Sequence, residues 1–372
     1  VHRNTRALRQ LGALTDAGLA VDLYCLPGSD LESSLPQGVR YHPLKVSGSG
    51  GIRFFRALAA EFARALGTSE ARLYHASDLY VLSAARRAAR ATTRRSATPT
   101  AYTYDARELY PHVAATVGRP HVRLYWHLVE RRNIRSASQV WTVSESIAEH
   151  LAQAHRIPRP IVQFNAPAFE QVSPGTWLRD RLAVSTETPL ILHMGQLRRD
   201  RGAEQLIRAM SSWREEDPAD ARLVFLGYGP EREGLEALTD SLGTAASVHF
   251  VDAVPPAELP AITAEADLGV TLLERTCLNH EFALPNKLFA YLAAGLPVVT
   301  SDLTECRRVV RDYDCGWTVD PSDVEAIRDT LALALREGSG KRRNALAAGE
   351  TLDWKKTSEA FAQRMIDLIE RS

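Results

Sequence analysis

Cysteine is scarce in this chain, and charge of one sign is missing. The four cysteines among 372 residues, Cys25, Cys277, Cys306 and Cys315, form no CxxC pair, which argues against a disulfide framework and suits a reducing cytoplasm. Cys277 and His280 are separated by two residues, but one such pair is too little to assign a metal, and no metal ligand is expected. Basic and acidic residues balance at 45 each, so nothing in the net charge points to nucleic acid as a partner. Lysine supplies only five of those 45 basic residues, a bias better attributed to a GC-rich genome than to function. No apolar run approaches the roughly 18–20 residues needed to span a bilayer. No secretory leader is visible. The expectation is a cytoplasmic protein, with peripheral contact to the membrane's cytoplasmic face at most. What is present is ordinary globular material, 45% hydrophobic and 24% charged. At 372 residues the chain is too long for one ordinary core and long enough for two domains.

Apolar patterning alternates between two periods. Strands are predicted at 21–26, 39–43, 71–75, 98–104, 139–143 and 160–165, with helices near 4–17, 53–66, 79–91, 120–137 and 145–154. Regularity fades from 165 to 188 into prolines, glycine and charges, and then the alternation restarts. Strands at 190–194, 223–226, 248–251, 268–273, 297–300 and 317–319 are interleaved with helices at 203–213, 231–242, 258–266 and 324–335, and an amphipathic tail runs from 354 to 369. Alternation of this kind implies α/β architecture with mostly parallel sheets covered on both faces. Two doubly wound domains are expected, at 1–168 and 188–352, with a linker at 169–187 and a last helix at 353–372. Such domains normally open on a strand, whereas this sequence opens on a helix with Leu8, Leu11 and Leu14 inward. A first strand and the loop after it are therefore expected to be missing from the front of the chain. Ligands of doubly wound sheets sit at the carboxyl ends of the strands.

One stretch organises the second half: CLNHEFALPNKLFAYLAAGLPVVTSD, residues 277–302. Pro285 suits a first helical position, Leu288, Phe289, Leu292 and Ala293 recur at helical spacing, Gly295 can cap, and Pro297 blocks continuation. A short valine-rich run then reads as a strand buried on both faces. The helix start faces an irregular loop holding Asn279, His280, Glu281, Asn286 and Lys287. Orphan amides and the positive end of the helix dipole bind anions at such a terminus. Anatomy alone leaves the alternative open that Lys287 is a solvated lysine on an ordinary helix. Gly195, after the first strand of the second domain, would let a phosphate or sugar approach the backbone, with Arg201 in the same strand-to-helix loop.

The run ALPNKLFAYLAAGLPVV resembles the donor-site helix of family 4 glycosyltransferases (glycosyl transferase group 1). These are retaining enzymes of GT-B fold, in which two doubly wound Rossmann-like domains face each other across a cleft. The resemblance covers nearly the whole chain and is strongest from 195 to 302. It implies transfer of a sugar from a nucleotide diphosphate sugar to a hydroxyl of a glycan, lipid-linked or small-molecule acceptor, with no metal or other cofactor. It also implies same-face attack, the leaving phosphate taking the acceptor proton. Arg201 would clamp the diphosphate, although Gln196 stands where a second arginine is frequent. Backbone around Phe282, Ala283, Leu284 and Asn286, with Lys287, would hold the same group. Gly227, Val251 and Asp252 would wall the base. On the acceptor side, YTYDARELY resembles a segment usually written YDxHELY, with Arg107 replacing the histidine. His75, Asp78, Arg107 and Glu108 become acceptor-side candidates and Asp105 a catalytic one; Asp78 would equally serve as a plain helix cap. Two glutamates eight positions apart normally flank the donor, and here those positions hold Phe282 and Ala290. Glu281, next to the first, is the candidate to take over that catalytic-site role. Ala290 keeps two alternatives alive, a nucleotide-sugar-binding protein without transferase activity and a sugar-nucleotide epimerase.

Four further patterns are given no catalytic role. Asp312-Tyr313-Asp314 reads as a polar turn rather than a metal-binding DxD, and after Gly227-Tyr228-Gly229 the third glycine comes at the wrong spacing for a dinucleotide fingerprint and no acidic residue ends the next strand as one needs. SGSGG at 47–51 is a flexible loop without the GK[ST] ending of a phosphate loop. Mixed arginines and aromatics (Arg53, Phe54, Phe55, Arg56 and Phe62; Arg119, Arg123, Trp126, Arg131, Arg132 and Arg135) read as inward aromatic stripes with solvated arginines, or as a membrane-facing surface.

Overall fold

The structure, a computed structural model, describes residues 5–28, 31–48, 50–213, 217–218 and 221–372. Residue 4, the expected helix start, and residue 49 in the glycine-rich loop lie outside the described residues. The chain divides into two compact units, the first comprising Val1–Asn165 and Lys355–Ser372, the second Ala166–Trp354.

In the first unit the order is α1 (Thr5–Asp16), β1 (Val21–Cys25), β2 (Val39–Pro43), α2 (Gly51–Ala65), β3 (Leu73–Ala76), α3 (Leu79–Ser96), β4 (Ala101–Ala106), α4 (Pro120–Ile134), β5 (Gln139–Thr142), α5 (Glu145–His155) and β6 (Ile161–Val162). All pairings are parallel, β1 with β2 in one sheet and β3-β4-β5-β6 in another. β4 is buried at all six positions, as a central strand covered on both faces should be. The aromatic stripe turns inward: Trp126 is buried and meets Phe55 and Tyr80 edge-on, each at 5.1 Å between ring centres.

The second unit runs α6 (Trp177–Leu182), β7 (Leu190–Met194), α7 (Ala203–Ser211), β8 (Arg222–Leu226), α8 (Arg232–Ser241), β9 (Val248–Val251), α9 (Leu259–Ala264), β10 (Leu268–Thr271), α10 (Leu278–Glu281), α11 (Asn286–Ala293), β11 (Val298–Ser301), α12 (Thr304–Tyr313), β12 (Gly316–Val319) and α13 (Val324–Thr351). Its six parallel strands lie in the order β9-β8-β7-β10-β11-β12, so the winding reverses between β7 and β10. That reversal is the switch point at which doubly wound sheets bind ligands. A core of Ile191, Leu206, Ile207, Phe225, Val270, Val299, Ile327 and Leu331 fills one side of the sheet.

Three local readings need correction. The stretch expected to be a plain linker carries α6, whose first amides are capped from afar: Glu265 Oε2 accepts from Leu178 N–H at 2.8 Å and from Arg179 N–H at 3.3 Å. Helical period alone could not find a cap supplied from another part of the chain. The helix predicted to end at 335 continues to Thr351, because Ala345 and Ala348 keep one face buried past the glycines at 338 and 340. Asp314 closes α12 in the left-handed conformation, φ 46°, so the DxD sequence is a helix end.

α14 (Trp354–Glu370) follows, and from Lys355 onward it belongs to the first unit. Phe361, Met365 and Leu368 pack against Trp141 there.

Candidate functional site

The second unit gathers four groups at the switch point. β7 ends in His193 and Met194, and the chain turns at Gly195, φ 106°. The turn after β8 lies directly against it: Gly195 N–H donates to Leu226 O at 2.9 Å, and Leu197 N–H to Tyr228 O at 2.8 Å. A Cβ on Gly227 would fall 2.0 Å from Gly195 O. Gly227 is thus required by the neighbouring turn, a packing reason separate from the base-walling role that the resemblance implies for it. Arg201 and then Gly202, the N-cap of α7, complete the loop.

α11 brings Lys287 to this turn. Pro285 is its N-cap and not its first residue, so Asn286 and Lys287 begin the helix and their amides have no carbonyl of their own helix to bond. Lys287 Nζ donates to His193 Nε2 at 3.0 Å, and its stem passes Gly195. Burial, with Arg201's charge adding, pushes the Lys287 ammonium down to about 7. Burial and Lys287 together hold His193 neutral, well below the ordinary histidine value. This is a positive site held without a paired carboxylate among the interactions of Lys287, an arrangement that gains from an anion.

Tyr291 fixes α11 in place. β7 and β10 pair over only two positions before they diverge. Into the gap goes the Tyr291 hydroxyl, which accepts from Met194 N–H at 2.9 Å and donates to Val270 O at 3.1 Å. Gly269 makes room for the ring, since a Cβ there would lie 2.4 Å from it. Sequence reasoning overlooked both His193 and Tyr291. The only available signals were a histidine inside an apolar strand and a tyrosine on the buried face of the organising helix.

Other candidates are drawn elsewhere. The amides of Phe282 and Ala283 donate to Leu278 O and His280 O, each at 3.2 Å, and finish α10 instead of facing the turn, while Leu284 is buried. Glu281 is held by Arg275 at 2.9 Å and accepts from Thr304 N–H at 3.1 Å, capping α12. Both of its oxygens are thus engaged within the protein. Val251 O accepts from Gly227 N–H at 2.9 Å, and Asp252 pairs with Arg232 at 2.5 Å.

In the first unit, Asp105 is fully buried beneath α1. Arg6 donates to both its oxygens, at 2.7 and 2.8 Å, and Gln10 Nε2 adds a third bond at 2.9 Å. Burial would raise this carboxyl, but Arg6 outweighs it and holds it below the usual range. The expected catalytic carboxylate is therefore a structural anchor here. Nothing local to Asp105 marks a partner 99 positions away. His75 sits edge-on to the rings of Trp141 and Phe361, with Nδ1 2.8 Å from Thr103 Oγ1, and burial lowers it to about 4. Asp78 stands at the N-cap position of α3 but makes no cap bond; it pairs with Arg107, whose Nε also donates to Ser77 O at 3.0 Å. Burial raises Asp78 to about 7 against the pull of Arg107. Glu108, next in sequence, is exposed.

Among the described residues, no group of three or more His, Cys, Asp or Glu side chains could hold a metal ion, and no helix is long and apolar enough to cross a membrane. His280 Nδ1 is engaged by Thr276 Oγ1 at 2.9 Å and Glu274 O at 3.0 Å.

Comparison with known proteins agrees with this anatomy. Residues 177–351 match the family described as "Glycosyl transferases group 1", and residues 4–167 match the "Glycosyl transferase 4-like domain". A GDP-mannose-dependent alpha-(1-6)-phosphatidylinositol monomannoside mannosyltransferase of Mycolicibacterium smegmatis is 32% identical over 40% of this chain and 39% of its own length. A D-inositol 3-phosphate glycosyltransferase of Corynebacterium diphtheriae is 30% identical over 45% of this chain and 39% of its own. These alignments thus span well under half of each curated relative. Whole-chain likeness is seen in solved structures. Sucrose-phosphate synthase from Thermosynechococcus elongatus superposes with a TM-score of 0.76 at 18% identity, covering 100% of this chain and 94% of that one. Anabaena HepE, solved with UDP-glucose, gives 0.74 at 14% identity, covering 98% and 95%. Those identities establish the fold, GT-B, and the two family matches settle the rest: this chain belongs to the group 1, family 4 glycosyltransferases.

Proposed function

We propose that the protein transfers a sugar from a nucleotide diphosphate sugar to an acceptor hydroxyl with retention of anomeric configuration. The observation that carries this is Lys287, seated at the start of α11 beside the Gly195 turn, with Arg201 close enough to depress it. As the glycosidic bond breaks, negative charge builds on the leaving diphosphate. Lys287, Arg201 and the first amides of α11 would meet that charge in place of a metal ion. Tyr228, 45% exposed at the neighbouring turn, offers a ring on which a base can stack. The leaving phosphate would accept the acceptor proton. Asp78, Arg107 and Glu108 remain our candidates for contacts with acceptor hydroxyls. The similar mannosyltransferase and the HepE complex support GDP- or UDP-linked donors as first probes.

The test is incubation with labelled UDP- and GDP-sugars and a panel of glycan, inositol and lipid-linked acceptors, with and without chelator. Transfer, or slow donor hydrolysis, that persists in chelator and disappears in Lys287→Met supports the proposal. A second outcome has its own motive: Ala290 offers no side-chain acceptor to ribose, and Glu281 is tied to Thr304 and Arg275. Donor binding without turnover would make this a nucleotide-sugar-binding protein, and an altered free sugar nucleotide would make it an epimerase.

A further inference from the structure

The donor site leaves unused a cavity in the first unit, between α4 and α5 and beside the loop after β4. Its volume is about 440 Å³, within the range of small-molecule sites. Four of the chain's 11 histidines line it, His112, His127, His150 and His155, together with Arg123 and Glu130. The imidazoles come in two pairs, His112 edge-on to His150 with ring centres at 5.2 Å, and His127 stacked on His155 at 5.6 Å. Leu109, Pro111 and Leu124 add apolar wall.

Glu130 and His155 are each only 1% exposed. Both Glu130 oxygens are already engaged, one by the Tyr104 hydroxyl at 3.0 Å and the other by His155 Nε2 at 3.0 Å. The carboxylate is thereby occupied within the protein. His155 Nδ1, in contrast, is buried with no hydrogen-bond partner; because Nε2 donates to Glu130, Nδ1 becomes a second donor only when the ring is protonated, as beside a bound anion. A buried polar atom left unpaired is costly and calls for a partner. No metal-holding group of three or more is found among the described residues.

We propose that this cavity is a binding site for a phosphate monoester, with Arg123 supplying fixed positive charge and the imidazoles converging as donors. A guanidinium and several N–H groups around one cavity match an acceptor with three terminal oxygens. A cation would face Arg123 instead. Burial, then Arg123, His150 and His127, lowers His112 to about 4. Burial likewise lowers His127 and His150, with Arg123 adding and Glu130 opposing in both, and with Arg131 adding at His127. His112, His127 and His150 are thus neutral near pH 7 when the cavity is empty, and a bound dianion favours their protonated forms. The ester reaches the site either as a soluble molecule or as a lipid headgroup.

The experiment follows the histidine ring resonances of the intact chain at about pH 7, where free and bound protonation states differ most. Inorganic phosphate, glycerol 3-phosphate, vesicles of phosphatidic acid in phosphatidylcholine, and zinc are added in separate titrations. Saturable movement of His112, His127 and His150 towards the protonated shift with a soluble phosphate is expected, weakened about tenfold or more in Arg123→Gln. Donor-sugar affinity at Lys287 should not change in that variant, so failure here is distinguishable from failure of the proposed transferase. Movement with the vesicles alone keeps the chemistry and assigns the ligand to a lipid. Resonances unmoved by every phosphate, moved equally in Arg123→Gln, or moved only by zinc overturn the proposal.

Discussion

Two charged residues show how far local sequence can mislead. Lys287 was legible, because proline and glycine mark out its helix and the loop before it. Its partner His193 was not, since a histidine within an apolar strand looks like filler until α11 is laid across it. With its ammonium lowered to about 7, Lys287 is half neutral near pH 7 when no anion is bound. A bound diphosphate favours the protonated form, so binding takes up a proton and donor affinity should fall as pH rises above 7, by at most about tenfold per unit. Calorimetry in two buffers of different ionisation enthalpy reads that uptake directly. The stability sign is opposite: the unfolded chain holds this proton up to its ordinary 10.5, so the Lys287 contribution to stability grows from about pH 7 upward and is lost as pH falls through 7. Asp105 illustrates the converse error. Its place at the end of a strand invited a catalytic role, but Arg6 occupies both oxygens. Arg6→Met should leave a buried carboxylate unpaired and cost about 3–5 kcal/mol in chemical denaturation. A loss below about 1 kcal/mol would mean that the pair is dispensable.

At the level of elements, α11 does the positioning. Tyr291 closes the gap between β7 and β10, and without its hydroxyl Met194 N–H and Val270 O lose their common partner. Tyr291→Phe should therefore destabilise the second unit by about 1–3 kcal/mol. Donor affinity should weaken with it, as α11 loses its anchor near Lys287. The opposite substitution lies one residue earlier. Ala290→Glu restores an acceptor on α11 and should tighten donor binding by about 1.5–3 kcal/mol if this position faces ribose. Unchanged affinity would show that it does not. Periodicity found these elements because each carries its own apolar face. It missed α6 and the last turns of α13, where the deciding contacts come from distant residues such as Glu265 and from a face of small alanines.

For the whole molecule, the alternation of strand and helix was enough to read the fold class, since buried parallel strands leave few other options. Strand order was not readable, and it is the order that brings the ends of β7 and β10 together at the site. Nor was the enclosure of His75 by Phe361, because α14 comes from the far end of the sequence to cover it. The central claim concerns a pyrophosphate gripped by Lys287 and Arg201 at that switch point. It is tested most directly by titrating GDP-mannose and UDP-glucose into the intact chain and into Lys287→Met by calorimetry at about pH 7. The account predicts saturable binding of at least one donor by the wild type and a loss of about tenfold to a hundredfold in the variant. Equal affinity in the two proteins, or no binding of either donor by the wild type, would contradict it.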